Sequence, residues 1–201
     1  MAEPVGEGAG AGGRAGARVA MALVHYPVLR DRAGDVGATS VTPLNIHDLA
    51  RAARTYGVAP FYVVTPLPSQ QELLGRILGH WLDGYGGEAN PTRREALRHV
   101  RVVSSVNEAA DDLTELAGAA PRFVGTGARE RPGSAGYAEL GGLMREPGAP
   151  WLLLFGTGWG LAPQLVDSCD RLLGPVRGPG DWNHLSVRTA VAVVLDRLFG
   201  A

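Results

Sequence analysis

The sequence predicts an α/β fold, in which a parallel sheet is covered by helices on both faces. Short apolar runs alternate with longer amphipathic segments along almost the whole chain, and that alternation is typical of parallel sheets. No internal repeat, long linker or change in composition appears after residue 18. We therefore expect a single domain at 19–201, preceded by a disordered Gly/Ala-rich tail at 1–18.

Six segments have the composition of buried strands, because they are short, apolar and rich in β-branched or aromatic residues. In chain order they are 19–24, 58–65, 100–104, 121–125, 151–155 and 171–173. Residues typical of turns and loops occupy 29–40, 84–88 and 128–136. Helix-length segments separate the strands, as parallel pairing requires.

Seven segments carry helix signals. They are 45–56, 69–82, a short arginine-bearing helix that starts at 90, 105–117, 137–145, 161–169 and 184–199. Asn45 is the predicted cap of the first helix, whose apolar residues share one face, and Gly57 stops it. Capping boxes open two other helices at Ser69 and Ser105, each followed three residues later by Glu. Proline after Asn90 marks the start of the short helix.

Composition narrows the possible functions. The 201 residues are 45% hydrophobic and 19% charged, with a formal net charge of -1, whereas nucleic-acid binders usually have a basic excess. Any RNA contact must then come from a local arginine patch or from both subunits of a dimer. The 19 basic residues are all Arg. The arginine run at 93–101 could follow an RNA backbone or be a solvated helix face.

The remaining composition argues for a cytoplasmic protein without a metal. Cys169 is the one cysteine, so neither an internal disulfide nor a thiolate metal cluster can form, and we expect a buried, inert thiol. The histidines lack the mutual spacing of a metal site. The N-terminus has no apolar signal region, and no apolar run approaches the roughly 20 residues that span a bilayer.

Two glycine-rich loops near the end of the chain are the best candidates for a binding site. The first is Gly156-Thr157-Gly158-Trp159-Gly160 and the second runs from Gly174 to Trp182. Such loops allow a ligand to approach the backbone closely. They could form a Rossmann-type nucleotide site, serve only as turns, or form a site where two C-terminal loops cross. A Rossmann site normally follows the first strand, which makes that interpretation the weakest.

Three segments resemble, in order and spacing, the motifs of the SPOUT superfamily of S-adenosylmethionine-dependent RNA methyltransferases. The segment from Asn45 to Gly57 resembles the first motif, with an Asn, a helix containing an Arg, and a Gly after an aromatic residue. The strand at 151–155 with Gly156-Thr157-Gly158-Trp159-Gly160-Leu161 resembles the second. The third corresponds to 172–178 followed by Asn183-His184-Leu185-Ser186-Val187. The closest resemblance is to a small bacterial branch of unknown target, and it covers about residues 19–199.

The resemblance implies a SPOUT fold with a C-terminal deep trefoil knot, an exception to the rule that chains do not thread loops. It also implies bound S-adenosylmethionine and a homodimer whose interface uses the last helix. The apolar stripe of that helix suits a dimer interface or the protein's own core. Cofactor contacts, mostly through the main chain, are expected at Leu154, Gly156, Thr157, Gly158, Leu173, Val176, Gly178, Asn183, Leu185 and Ser186.

Two residues are expected to act on the acceptor. Arg51 matches the arginine of the first motif and would orient a phosphate or stabilise negative charge, although a surface arginine fits the same pattern. Asp181 could accept a proton from a base nitrogen, or be an ordinary loop or capping carboxylate. The resemblance implies methylation of a tRNA or rRNA nucleotide. The alternatives are methylation of a small molecule or peptide, and a cofactor-binding homologue without turnover.

Overall fold

A six-stranded parallel sheet forms the centre of the protein in a computed structural model that describes residues 18–201. The strands of the described part are β1 (Val19–Val24), β2 (Val28–Leu29), β3 (Val36–Gly37), β4 (Phe61–Val64), β5 (Val100–Val103), β6 (Arg122–Gly125), β7 (Trp151–Gly156) and β8 (Arg171–Leu172). The sheet order is β5-β4-β1-β7-β6-β8, and every neighbouring pair is parallel. The predicted parallel sheet is confirmed.

Helices pack on both faces of this sheet, as predicted. They are α1 (Pro43–Thr55), α2 (Pro68–Leu82), α3 (Tyr85–Ala89), α4 (Pro91–Leu97), α5 (Val106–Ala117), α6 (Tyr137–Arg145), α7 (Pro163–Asp167) and α8 (Val187–Phe199). Side chains of β1 alternate between two cores because successive strand residues point to opposite faces. Met21 and Leu23 join the core of α1, α2, α4, α6 and α8, whereas Ala22 and Val24 join that of α5 and α7.

Proline, rather than the polar cap that we predicted, sets the start of two helices. The first begins at Pro43, after the extended Thr42, and not at Asn45. The second begins at Pro68, so the capping box predicted at Ser69 is wrong. Proline suits the first helical position because its ring presets φ and that position needs no N–H donor. By contrast, Ser105 does cap α5, since its hydroxyl accepts from the Glu108 amide at 3.1 Å.

Four other boundaries differ from the predictions. The predicted loop at 29–40 contains the β2–β3 hairpin, and the predicted turn at 84–88 forms α3. The predicted helix at 161–169 is only five residues long, starting at Pro163. The last helix starts at Val187 instead of 184, with Ser186 as its cap.

The last helix belongs to the protein's own core. Its residues Val191, Val194, Leu195 and Leu198 are all buried, which uses the apolar stripe that a dimer interface would also have suited. The predicted disordered tail at 1–18 lies outside the described residues except for Arg18. The Arg18 carbonyl accepts a hydrogen bond from the Trp151 amide at 2.9 Å. The single domain at 19–201 stays a prediction.

Candidate active site

A cleft of about 590 Å³ lies where β6, β7 and β8 end. It is lined by residues of three loops, which follow these strands at 126–136, 157–162 and 173–186, and by residues from the segment that precedes α1. The carboxyl ends of strands are where open α/β sheets usually bind ligands. Because β7 lies between β1 and β6, the loop after it occupies the middle of the cleft.

The loop after β7 is shaped by its glycines. A Cβ atom on Gly156 would come within 2.5 Å of the Leu161 amide nitrogen, so no larger residue fits there. Gly158 and Gly160 have φ of +58° and +106°, in the left-handed region that favours glycine. The β2 strand holds the loop in place, since Leu29 donates to the Gly160 carbonyl at 2.9 Å and accepts from the Trp159 amide at 2.8 Å.

A chain of hydrogen bonds connects this loop to a buried histidine. The Thr157 hydroxyl donates to the Val24 carbonyl at 3.0 Å, which leaves it to accept from the Thr39 hydroxyl at 2.5 Å. Thr39 must then accept from His25 Nδ1, 3.0 Å away. His25 is fully buried, and burial lowers its pKa to about 4. The imidazole is therefore neutral, with its proton on Nδ1, and it orients two threonines of the cleft.

The loop after β6 is bonded to the start of the loop after β8. The Leu173 amide donates to the Gly125 carbonyl at 2.9 Å, while the Ala135 amide donates to the Leu172 carbonyl at 2.7 Å. Both ends of the 126–136 loop are thus bonded to the chain at 172–173. Further along, the Asn183 side chain donates to the Ala128 carbonyl at 2.7 Å.

The main chain of the loop after β8 makes few hydrogen bonds within the described protein. Within the described residues, no backbone amide or carbonyl from 175 to 185 takes part in a backbone–backbone hydrogen bond. Regular backbone hydrogen bonding begins again at Ser186, whose hydroxyl accepts from the Thr189 amide at 3.3 Å and caps α8. Unpaired peptide groups beside a cleft can supply the donors and acceptors of a polar ligand.

Eight of the ten predicted cofactor residues line the cleft. They are Gly156, Thr157, Gly158, Leu173, Val176, Asn183, Leu185 and Ser186. Leu154 does not, because its side chain is buried in the core of α5 and α7. Gly178 is exposed in the loop after β8 and also lies outside the lining.

The two predicted catalytic residues lie outside the cleft lining. Arg51 is exposed on α1 and donates to Asp48 at 2.6 Å, and Arg188 of α8 donates to the same carboxylate at 3.1 Å. The hydrogen bond from Arg51, helped by that from Arg188, holds the pKa of Asp48 below its ordinary value. Asp181 is exposed in the loop after β8 and makes no side-chain hydrogen bond with the described residues.

The structure adds residues that the motifs did not indicate. Arg129 and Arg131 line the cleft and are its charged side chains in the described part. Tyr137 lines it too, and its buried hydroxyl has no hydrogen-bond partner in the described residues. Burial raises the pKa of Tyr137. The composition of 128–136 indicates only a loop, so it gives no reason to select the two arginines. The pattern at 137–145 likewise indicates only a helix, with no role for Tyr137 at a site.

The arginine run at 93–101 and Cys169 do not line the cleft. Arg93 stacks on Trp81 with its guanidinium carbon 4.7 Å from the ring centre. Arg98 is paired with Glu95 and Arg101 with Asp112, so three of the four arginines of the run are already engaged. Cys169 is half-buried and its thiol donates to the Leu165 carbonyl at 3.2 Å. The described residues contain no cluster of three metal-ligating side chains and no helix able to cross a membrane.

The chain is similar to curated methyltransferases over part of their length. A tRNA (guanine-N(1)-)-methyltransferase of Oleidesulfovibrio alaskensis is 45% identical over 187 residues, which are 93% of this chain and 43% of that protein. An uncharacterized protein of Aquifex aeolicus is 42% identical over 181 residues, 90% of this chain and 88% of that protein. This chain therefore spans less than half of the tRNA methyltransferase.

Solved structures with the same fold include methyltransferases. A probable methylase family protein from Haemophilus influenzae has a TM-score of 0.60 at 20% identity, over 90% of this chain and 64% of that one. The SpoU methyltransferase AviRb of Streptomyces viridochromogenes, in complex with AdoMet, has a TM-score of 0.55 at 16% identity, over 92% of this chain and 57% of that one. These similarities confirm the predicted fold class. A model of SAM-dependent RNA methyltransferases matches residues 18–200, so the chain belongs to this family.

Proposed function

We propose that this chain transfers a methyl group from S-adenosylmethionine to RNA, with the cofactor bound in the cleft. The observation that carries the proposal is the meeting of three loops around about 590 Å³ of open volume, a size typical of small-molecule sites. Most of the residues that the motifs select line that volume. Membership of an RNA methyltransferase family supports the same function.

The cleft suits this cofactor. S-adenosylmethionine, when bound, supplies a methyl group on a positively charged sulfur, together with polar adenosine and amino-acid groups. The cleft-lining peptide groups at 176 and 183–185, which have no backbone partner, and the Tyr137 hydroxyl offer matching donors and acceptors. Gly156, Gly158 and Leu173 line the volume in which the ligand would lie. A fixed set of main-chain dipoles also holds reacting groups in line without reorganising.

Charge in the cleft favours RNA over a small neutral acceptor. Arg129 and Arg131 line it, whereas no Asp or Glu of the described residues does. Two guanidinium groups without a compensating carboxylate attract phosphate. This local excess offsets the overall net charge of -1. Methylation of a small molecule, and cofactor binding without turnover, are outcomes that the experiments below would reveal.

We further propose that the chain is a homodimer in which Arg51 acts on the cleft of a second copy. Arg51 lies on the exposed side of α1 and does not line its own cleft. Its ion pair with Asp48 holds the guanidinium in a defined position. A second copy placed against α1 would receive this fixed positive charge, which can orient a phosphate or stabilise an oxyanion.

Asp181 is proposed as the group that accepts the acceptor's proton. It precedes the cleft-lining Asn183 by two residues, on a loop segment whose peptide groups are not paired with other backbone groups. A carboxylate at the cleft mouth can reach a base nitrogen that loses its proton on methylation. We expect Asp181→Asn to lower kcat and leave the Kd for S-adenosylmethionine unchanged.

The predicted trefoil knot is retained as part of the proposal. The bonds from Leu173 to Gly125 and from Ala135 to Leu172 connect both ends of the 126–136 loop to the chain at 172–173. The segment after it then reaches Glu130 through Arg177, at 2.8 Å. These contacts support threading of the C-terminal segment through the loop. A single domain at 19–201 and a cytoplasmic location, where RNA is available, complete the proposal.

Calorimetry with S-adenosylmethionine is the first test. We expect about one site per chain and loss of binding in Gly158→Val, because a side chain there would meet the Leu29 carbonyl and the strained φ. Gly118→Val is the matched control, since it has a similar φ of +76° but open space at the end of α5. Equal affinity in both variants would place the cofactor elsewhere.

Transfer of labelled methyl groups is the second test. The protein is incubated with tritiated S-adenosylmethionine and either total RNA or an RNase-treated cell extract. Label in RNA supports the proposal, and label only in the treated extract favours a small molecule or peptide. Cofactor binding without any transfer favours a homologue without turnover.

Mixing two inactive variants tests the shared site. If Arg51 acts on the other copy, Arg51→Ala mixed with Gly158→Val forms dimers that keep one intact site. Random exchange in a two-fold dimer restores about a quarter of the wild-type activity. No recovery from a mixture that light scattering shows to be dimeric would place Arg51 outside a shared site.

A further inference from the structure

Three exposed aromatic side chains gather at the mouth of the cleft. We name Trp159, Trp182 and His184 the aromatic patch. The His184 ring lies 6.4 Å from Trp159 and 6.1 Å from Trp182, measured between ring centres. Trp182 is 79% exposed and Trp159 45% exposed. Clustered exposed tryptophans are unusual on a protein surface, and such patches mark interaction sites.

The fold fixes the position of this patch. Trp159 stands between two glycines with positive φ, and its amide donates to the Leu29 carbonyl at 2.8 Å. Its backbone is thus held while its ring remains half exposed. On the other side, Asn183 anchors the segment of Trp182 and His184 through its bond to the Ala128 carbonyl. Two separate loops are therefore tied down in positions that bring aromatic rings together.

Positive charge surrounds the patch. The guanidinium carbon of Arg32, from the β2–β3 hairpin, lies 5.2 Å from the centre of the Trp159 ring. Arg129 and Arg131 line the same cleft as Trp159 and His184. None of these three arginines forms an ion pair with a residue at 18–201. Their positive charge is therefore not neutralised by a carboxylate of the described residues and can attract phosphate groups.

We propose that the aromatic patch stacks an unpaired base of the RNA acceptor beside the cleft, while the three arginines bind the flanking phosphates. Exposed rings beside free cations are the chemistry by which proteins bind single-stranded RNA. A base inside a duplex has both faces covered and cannot stack on a protein ring. The preferred substrate is therefore a loop, bulge or single strand. This inference rests on the proposed function, since the RNA must reach the cleft.

Binding to an abasic strand separates stacking from charge. The two probes are a short oligo(A) RNA and a strand with the same sugar-phosphate backbone but no bases. Fluorescence anisotropy at fixed salt gives Kd for the wild type, Trp159→Ala, Trp159→Phe and Tyr85→Ala. Tyr85 is the control because it is an aromatic residue with 76% exposure that does not line the cleft. Calorimetry gives the Kd of each variant for S-adenosylmethionine.

Loss of the preference for bases is the expected result. The wild type should bind oligo(A) about 10-fold more tightly than the abasic strand, since stacking contributes at this level. Trp159→Ala should remove most of that preference, Trp159→Phe should retain most of it, and Tyr85→Ala should retain all of it. Affinity for the abasic strand should change less than about twofold, because that strand has no base to stack on the ring.

Three results would overturn the inference. Trp159→Ala could keep the full preference, weaken both strands equally, or lose S-adenosylmethionine binding, which would assign the ring to the cofactor. In each case the wild type still binds cofactor and RNA, so the proposed function stands. A wild type that binds neither ligand contradicts the proposed function itself, and with it the acceptor that the patch was inferred to hold.

Discussion

Acidification should destabilise this protein through His25. The side chain is fully buried, and its Nδ1 donates to Thr39 in the chain of hydrogen bonds that reaches Thr157. Burial lowers its pKa from 6.5 to about 4. Protonation would place a charge in the core. No hydrogen bond would stabilise that charge at Nε2, since this atom has no partner in the described residues.

The size of the effect follows from linkage. Since the folded-state pKa is below the unfolded one, the unfolded chain binds the proton first as pH falls. The contribution of neutral His25 to the free energy of unfolding is complete above pH 6.5 and is lost progressively down to about pH 4. A shift of this size corresponds to about 3 kcal/mol, at 1.36 kcal/mol per pKa unit. Small proteins have only about 5–15 kcal/mol of stability, so the loss is measurable.

Urea unfolding at several pH values would test this, with His25→Asn as the matched variant. Asn can keep the donor near the Nδ1 position but does not titrate. The wild type should lose about 3 kcal/mol more than His25→Asn between pH 7 and pH 4. The difference between the two proteins removes the contributions of other groups, such as Asp48. If the two pH profiles run parallel, His25 is not the buried neutral group described here.

Three other predictions concern local structure. Gly156→Ala should lower the free energy of unfolding, measured in urea, by about 1–3 kcal/mol, because its Cβ would meet the Leu161 amide. Gly75→Ala lies in open space on α2 and should not lower this free energy. Equal losses in the two variants would contradict the crowding argument. Ser105→Ala should cost about 1 kcal/mol, since it removes the cap of α5. Ser69→Ala, at a site with no cap, should change the free energy of unfolding by less than about 0.5 kcal/mol, and a larger loss there would restore the predicted capping box. Burial raises the pKa of Cys169 to about 11. Alkylation of this thiol by iodoacetamide at pH 8 should therefore be roughly 100-fold slower in the folded than in the urea-unfolded protein. Similar rates in the two states would refute the burial argument.

The alternation of apolar and amphipathic segments was enough to predict the sheet and its two helical layers. It worked because β1 is buried along its whole length and β7 at every residue except Gly156, and continuous apolar runs are typical of central parallel strands. Helix starts were harder, since Pro and polar caps gave competing signals. Proline prevailed at Pro43 and Pro68, where it occupies the first helical position.

The site was only partly predictable. Glycines at 156–160 carry a local signal, because close packing and positive φ exclude other residues. Thr39, by contrast, reaches the cleft through a hairpin whose composition resembles a loop. The contact between Thr39 and Thr157 joins residues 118 positions apart, and no short pattern encodes such a contact. Arg129 and Arg131 were missed for a similar reason, since their loop carries no local pattern and lines the cleft only through its place beside the loop after β8.

The wide sequence separation of the cleft's walls has a consequence during synthesis. One wall comes from the segment that precedes α1 and another from the start of α8. The residues of the first wall are therefore translated well before those of the second. Contacts over such distances form late in folding. During synthesis the cleft is therefore incomplete until α8 has emerged from the ribosome.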